Sequence, residues 1–198
     1  MVICRHHKGM ALSAMAKLMA HYGINGLGDH NARFRVYIGN RPDHEFGKAG
    51  IVALTQEDIL RIGQHCGNGW RKVFNVYAKL AFTLPPSFGF KRNFRSWQQY
   101  RDNSLLQQGS NTALLFTPPD LTNRPDCVHI VMGRTYAKSL DLGEGLRWIN
   151  PEFAVDHTKR LIVCPYFDYR QLSNIKILFL SDLIERTFFE LFIQRSIG

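Results

Sequence analysis

The chain has no two cysteines at C-x-x-C spacing, no internal repeat, no low-complexity tract and few acidic residues. Each shortage excludes a class of protein. No apolar run approaches the ~20 residues that span a bilayer, so no membrane partner is expected. The four cysteines, Cys4, Cys66, Cys127 and Cys164, are scattered, and two lie in apolar runs of strand length. No disulfide framework is expected in a cytosolic chain of this size. The pairs His65–Cys66 and Cys127–His129 each offer two metal-type ligands, and residues two apart on a strand share a face. No third and fourth ligand is evident, so neither a metal nor another cofactor is expected. G-x-S-x-G, H-E-x-x-H and G-x-G-x-x-G are all missing. The glycine-containing stretch Cys66–Trp70 (CGNGW) lacks the Lys-Ser/Thr of a phosphate-binding loop. Sixteen acidic residues face 25 basic ones, for a formal net charge of +9. Arginine, at 16, outnumbers lysine, at 9. Such a balance favours anionic partners such as nucleic acid, nucleotides or phosphorylated metabolites, because the guanidinium fork matches phosphate geometry. Within the stretch FKRNFRSWQQYR, Phe90 to Arg101, basic residues interleave with aromatics.

What is present is ordinary globular material. The 198 residues are 45% hydrophobic and 21% charged, with 14 Phe, 7 Tyr and 3 Trp, which suits one domain over 1–198. Residues 1–30 read as an N-terminal helical segment. The basic start followed by apolar residues imitates a signal peptide, but Lys17 interrupts the run and an amphipathic helix fits better. The expected location is the cytoplasm. Four near-continuous apolar runs read as strands buried on both faces: Arg33–Gly39, Asn111–Thr117, Cys127–Gly133 and Arg160–Tyr166. Helical patterns separate them. Thr55 with Asp58 and Ser96 with Gln99 resemble capping boxes, the second helix being closed by Gly109. Trp70, Val73, Phe74, Tyr77 and Leu80 recur at helical spacing, and Thr135–Leu142 reads as a short helix. A C-terminal helix is expected over 181–195 with Ser181 as its N-cap, while the preceding IKILFL is open between a fifth strand and a helical turn. Alternating strands and helices predict an α/β three-layer sandwich around a central, mainly parallel four-stranded sheet, with a core over 33–173.

Ligands bind such folds outside the carboxyl ends of the strands. Four places qualify: Asn40–His44, Thr117–Leu121, Arg134–Thr135 and Pro165–Ser173. In the first, Asp43 or His44 can position or deprotonate a water, and Asn40 offers a donor and an acceptor to a base edge. In the last, Tyr166, Phe167 and Tyr169 offer stacking surface, Asp168 a carboxylate, Arg170 a phosphate ligand and Ser173 a hydroxyl. At the third strand's end, Arg134 and the backbone N–H groups of Thr135 and Tyr136 point to an anion. Plain turns capped by Asp, or aromatic loops packed over the core edge, account for the same residues.

The order of these motifs resembles the uracil-DNA glycosylase superfamily. That family shows a first strand ending in G-Q-D-P-Y-H or G-x-N-P, a strand ending in L-L-L-N, a strand followed by G-x-x-A and a last strand followed by H-P-S-P-x-S. The corresponding stretches are Gly39–His44 (GNRPDH), Leu114–Thr117 (LLFT), Gly133–Ala137 (GRTYA) and Gln171–Ser173 (QLS). The resemblance implies the fold, and a site that departs from the family pattern. Arg41 stands where the water-activating aspartate belongs, Asp43 where a tyrosine belongs, Thr117 where the uracil-reading asparagine belongs, and Asp168 where the electrophilic histidine aligns. The implied reaction is hydrolysis of an N-glycosidic bond, with Asp43, His44 and Asp168 as catalytic candidates. Asn40, Arg41, Thr117, Arg134, Tyr166, Arg170 and Ser173 are then substrate-binding. The alternatives are a non-catalytic module binding DNA or a nucleotide, and a protein-interaction scaffold using an aromatic surface.

Overall fold

The computed structural model describes residues 23, 25–43 and 50–188. His44, Cys4, residues 189–198 and nearly all of the expected N-terminal helical segment lie outside the described residues. The architecture is mixed α/β, built on one eight-stranded sheet. Its strands are β1 (Gly26–Gly28), β2 (Phe34–Tyr37), β3 (Ile51–Val52), β4 (Thr112–Leu115), β5 (Val128–Met132), β6 (Arg147–Trp148), β7 (Ala154–Asp156) and β8 (Leu161–Cys164). Among the described residues five α-helices accompany them: α1 (Asp58–His65), α2 (Asn68–Thr83), α3 (Trp97–Asn103), α4 (Arg134–Ser139) and α5 (Asn174–Phe188).

The sheet order is β3-β1-β4-β2-β5-β8-β7-β6. The four apolar runs seen in the sequence are its centre, and β4, β2, β5 and β8 pair parallel to one another. The sheet is wider than the four strands expected. β1 adds antiparallel to β4 and carries β3, and β7 adds antiparallel to β8 and carries β6. Gly26–Gly28 is therefore strand, not the end of a helical segment. Its backbone lies so close to β4 that a Cβ on Gly26 would meet the Leu114 carbonyl at 2.5 Å.

The C-terminal helix differs too. It begins at Asn174, so IKILFL is helical, and Ser181 is a buried residue within it rather than its cap. The buried residues Ile177, Leu180, Ser181, Ile184 and Phe188 make one stripe at helical spacing, which outweighs the β-propensity of a short apolar run. The helix opened by Ser96, whose Oγ accepts from Gln99 N at 3.2 Å, ends at Asn103 and not at Gly109. Beyond it the chain turns through Leu106, at φ 58°, to bury Leu105 and Leu106.

The two sheet faces differ in chemistry. Phe34, Val36, Leu114, Ile130 and Ile162 face the larger core, against helices α1, α2, α3 and α5. Tyr37, Ala113, Leu115, Val131 and Val163 face a smaller one that includes Ala137 of α4. Period-2 alternation puts Arg35 and His129 on that second face, both buried. Arg35 donates from Nε to the Ala32 carbonyl (2.8 Å) and from Nη2 to the His30 carbonyl (3.3 Å). His129 Nδ1 and the Tyr37 hydroxyl are 2.7 Å apart, and His129 Nε2 meets the Arg124 carbonyl at 3.0 Å. Both ring nitrogens are thus taken, which leaves none for a metal beside Cys127.

Burial holds the His129 pKa below its ordinary value; Arg35 adds to this, while the Arg124 carbonyl, Asp120 and Asp126 oppose it. The folded protein therefore keeps His129 neutral where the unfolded chain binds a proton. Its contribution to stability is full above about pH 6.5 and is lost as pH falls below it. His129→Gln is expected to flatten the decline in melting temperature between pH 7 and pH 5 relative to the wild type. Parallel melting curves for the two proteins over that range would assign the decline to other groups.

Candidate functional site

The central strand order gives the site its place. Numbering the parallel strands by sequence, β4 is second, β2 first, β5 third and β8 fourth, so the order reverses between β2 and β5. The connection from β2 to β4 runs through α1, α2 and α3 on the larger core, and that from β5 to β8 through α4 on the other. Loops leaving β2 and β5 therefore diverge and open a crevice at their carboxyl ends, the topological switch point of a doubly wound sheet.

At this end of the sheet Gly39–Asp43 follow β2 and Gly133 follows β5, with the loop after β8 reaching across. Tyr166 Oη donates to Asn40 Oδ1 over a long 3.3 Å bond, joining the β2 and β8 loops across β5. Two strand-end glycines neighbour tyrosine rings here, one in ordinary contact and one in a tight approach. A Cβ on Gly133 would meet the Tyr166 ring at 3.9 Å, and Gly133 lies at φ 95°, a conformation that favours glycine. A Cβ on Gly39 would meet the Tyr136 ring at 2.8 Å. Two half-buried tyrosine rings thus lie against two glycines, and the Tyr166 hydroxyl meets the Asn40 amide oxygen. Burial raises the pKa of both phenols, and the bond to Asn40 partly offsets this at Tyr166. Both are neutral hydroxyls at physiological pH.

The other candidates are distributed around this centre. Asp168 pairs with Lys72 of α2, Oδ2 to Nζ at 2.9 Å, and accepts from the Arg170 backbone N at 2.9 Å. These bonds, the Arg170 N–H first and Lys72 second, hold its carboxyl below the usual range. A carboxylate so engaged is a weak base. Arg134 turns away: it donates from Nη1 to the Pro151 carbonyl (3.1 Å) and lies 5.1 Å from the Trp148 ring centroid. The helix it opens has only six residues. The Asp43 carbonyl accepts from Cys66 Sγ at 3.4 Å, which brings the α1–α2 junction to this loop; its carboxylate is exposed. Arg41 is exposed and has no hydrogen bond or ion pair among the described residues. Thr117 is half-buried after Phe116, whose ring meets Trp70 edge-on at 6.2 Å. Ser173 opens α5, its carbonyl accepting from Ile177 N at 2.8 Å, and Arg170 is exposed. Tyr136, Gly39 and Gly133 build the centre, yet in the sequence they read only as a helix start and two strand ends.

Fold and site together define a doubly wound α/β protein with polar and aromatic side chains gathered at its switch point. The chain belongs to a family of unknown function, DUF6942, which matches over residues 25–185. That span holds every described strand and nearly all of α5. No curated protein and no solved structure matches the chain. Among the described residues no helix is long and apolar enough to cross a membrane, and no group of three His, Cys, Asp or Glu is placed to hold a metal.

Proposed function

We propose that the protein binds a nucleobase or nucleotide in the crevice between β2 and β5, on a scaffold akin to the uracil-DNA glycosylases, and does not cleave it. The observation that carries this is the Tyr166–Asn40 bond over Gly133. It engages the amide oxygen of Asn40 and leaves the amide N–H groups to an acceptor on a base edge, beside ring surfaces suited to stacking. Cleavage of an N-glycosidic bond requires negative charge near an oxocarbenium-like centre. Asp168 is committed to Lys72, and Arg41 occupies the position that the resemblance gives to the water-activating carboxylate. The exposed carboxylate of Asp43, three residues after Asn40, supports a second reading in which it activates water and the protein is a hydrolase.

Equilibrium titration with the common nucleoside monophosphates tests the first reading. One base is expected to bind best, Asn40→Ala to weaken it about tenfold and Tyr166→Phe by a few-fold, as for one and a fraction of a hydrogen bond. Equal affinity for all bases in both variants would remove the assigned role of Asn40.

A further inference from the structure

We propose that the outward face of α2 is a groove for single-stranded nucleic acid, separate from the crevice and independent of its reading. The helix Asn68–Thr83 contains no acidic residue. Arg71, Lys72, Asn75 and Lys79 fall on one side of it, spaced i, i+1, i+4 and i+8, which sets cations along ~12 Å of axis. Three depressions follow that side. One of about 670 Å³ lies between α1, α2 and α3. It shares Arg71 and Asn75 with a second of about 140 Å³, which shares Lys79 and Trp97 with a third of about 320 Å³. The three depressions adjoin one another along the helix through these shared residues.

Its aromatics hold the cations in place. Trp97 carries Lys79 at 5.2 Å and Arg101 at 5.7 Å from its ring centroid, and Lys91 lies 5.6 Å from that of Phe82. The alternation of basic and aromatic residues over Phe90–Arg101 thus supplies three members of this face. At the other side Lys72 lies 4.8 Å from the Tyr169 centroid, on one face of that ring, and Tyr169 as a residue is 54% exposed. Asp168 and Asp102 each pair with one cation, Lys72 and Arg101. Arg71 has no hydrogen bond or ion pair among the described residues, so this face keeps a positive surplus.

A row of cations with an exposed stacking ring fits a strand that presents phosphates and open bases. A duplex offers no unstacked base to Tyr169. An acidic peptide or an anionic lipid surface satisfies the cations but makes no use of the ring.

Fluorescence anisotropy with labelled dT12 and rU12 at 50 and 200 mM NaCl tests the proposal. Four phosphate contacts predict that affinity falls roughly 50-fold between the two salts. Arg71→Ala/Lys79→Ala is expected to halve the logarithmic salt slope while mononucleotide binding at the crevice persists. Arg71→Gln/Lys79→Gln serves if the alanines lower the melting temperature. Tyr169→Ala is expected to weaken binding about tenfold at both salts with the slope unchanged. Preference for either strand identifies the sugar contact and is consistent with the groove. Absent binding, a slope the arginine–lysine variants leave intact, or equal competition by polyglutamate or phosphatidylserine vesicles would overturn it.

Discussion

Gly28→Ala is expected to lower the melting temperature by roughly 6–12 °C. Two costs combine. Gly28 lies at φ 121°, where an L side chain is strained by about 1–3 kcal/mol. The new Cβ would also run into the Thr112 carbonyl and sit 2.8 Å from Ala113 Cα, both backbone atoms of β4. Neither can rotate away, so β1 must separate from β4, with overpacking adding about 1–3 kcal/mol. The pairing at stake joins the outer β1–β3 strands to the parallel centre. Thermal unfolding followed by circular dichroism measures the loss. A shift under 2 °C would mean that β1 does not pack on β4 as described.

Gly39→Val is expected to abolish ligand binding in the crevice, a loss of at least 30-fold, while the fold survives with a cost of about 1–3 kcal/mol. Gly39 is not in a left-handed conformation, so the effect is purely steric. The added Cβ meets Tyr136 Cδ2 at 2.8 Å and Cγ at 3.0 Å, close to the stem of the ring, so the whole side chain must move. Asn40, the next residue, moves with the loop. Tyr136→Ala in the same chain is expected to restore part of the binding because it removes the obstruction. Non-additivity of this kind marks residues in contact. Titration of the two single variants and the double variant measures it. A double variant no better than Gly39→Val alone would place the damage elsewhere.

The four central strands were legible because each is an apolar run covered on both faces, and α2 because Trp70, Val73, Phe74, Tyr77 and Leu80 mark its buried side. The outer strands were not. β1, β3, β6 and β7 have two or three residues each, too short to show a period, and Gly26-Leu27-Gly28 has no β-propensity to detect. Arg35 and His129 were absorbed into apolar runs. Only the fold reveals that they share one buried face, where backbone carbonyls and Tyr37 satisfy them. At the site, Asn40 and Tyr166 stood out as polar and aromatic residues after strands. Their meeting across β5 depends on strand order, which no local pattern encodes. The seating of Tyr136 and Tyr166 against glycines was equally hidden, since the signal is the absence of a Cβ on a neighbouring loop. Asp168 looked free in the sequence because Lys72 is 96 residues away.

The central claim is a base-binding crevice without glycosidic cleavage, and one proton NMR spectrum tests both halves. The protein is incubated with the best-binding nucleoside monophosphate and saturated at its methyl resonances. Saturation transfer to the base protons is expected, with its half-saturation concentration raised about tenfold in Asn40→Ala, and no resonances of free base are expected after prolonged incubation. Absence of transfer to any base would contradict the binding site. Accumulating free base that disappears in Asp43→Asn would show that the crevice hydrolyses what it holds.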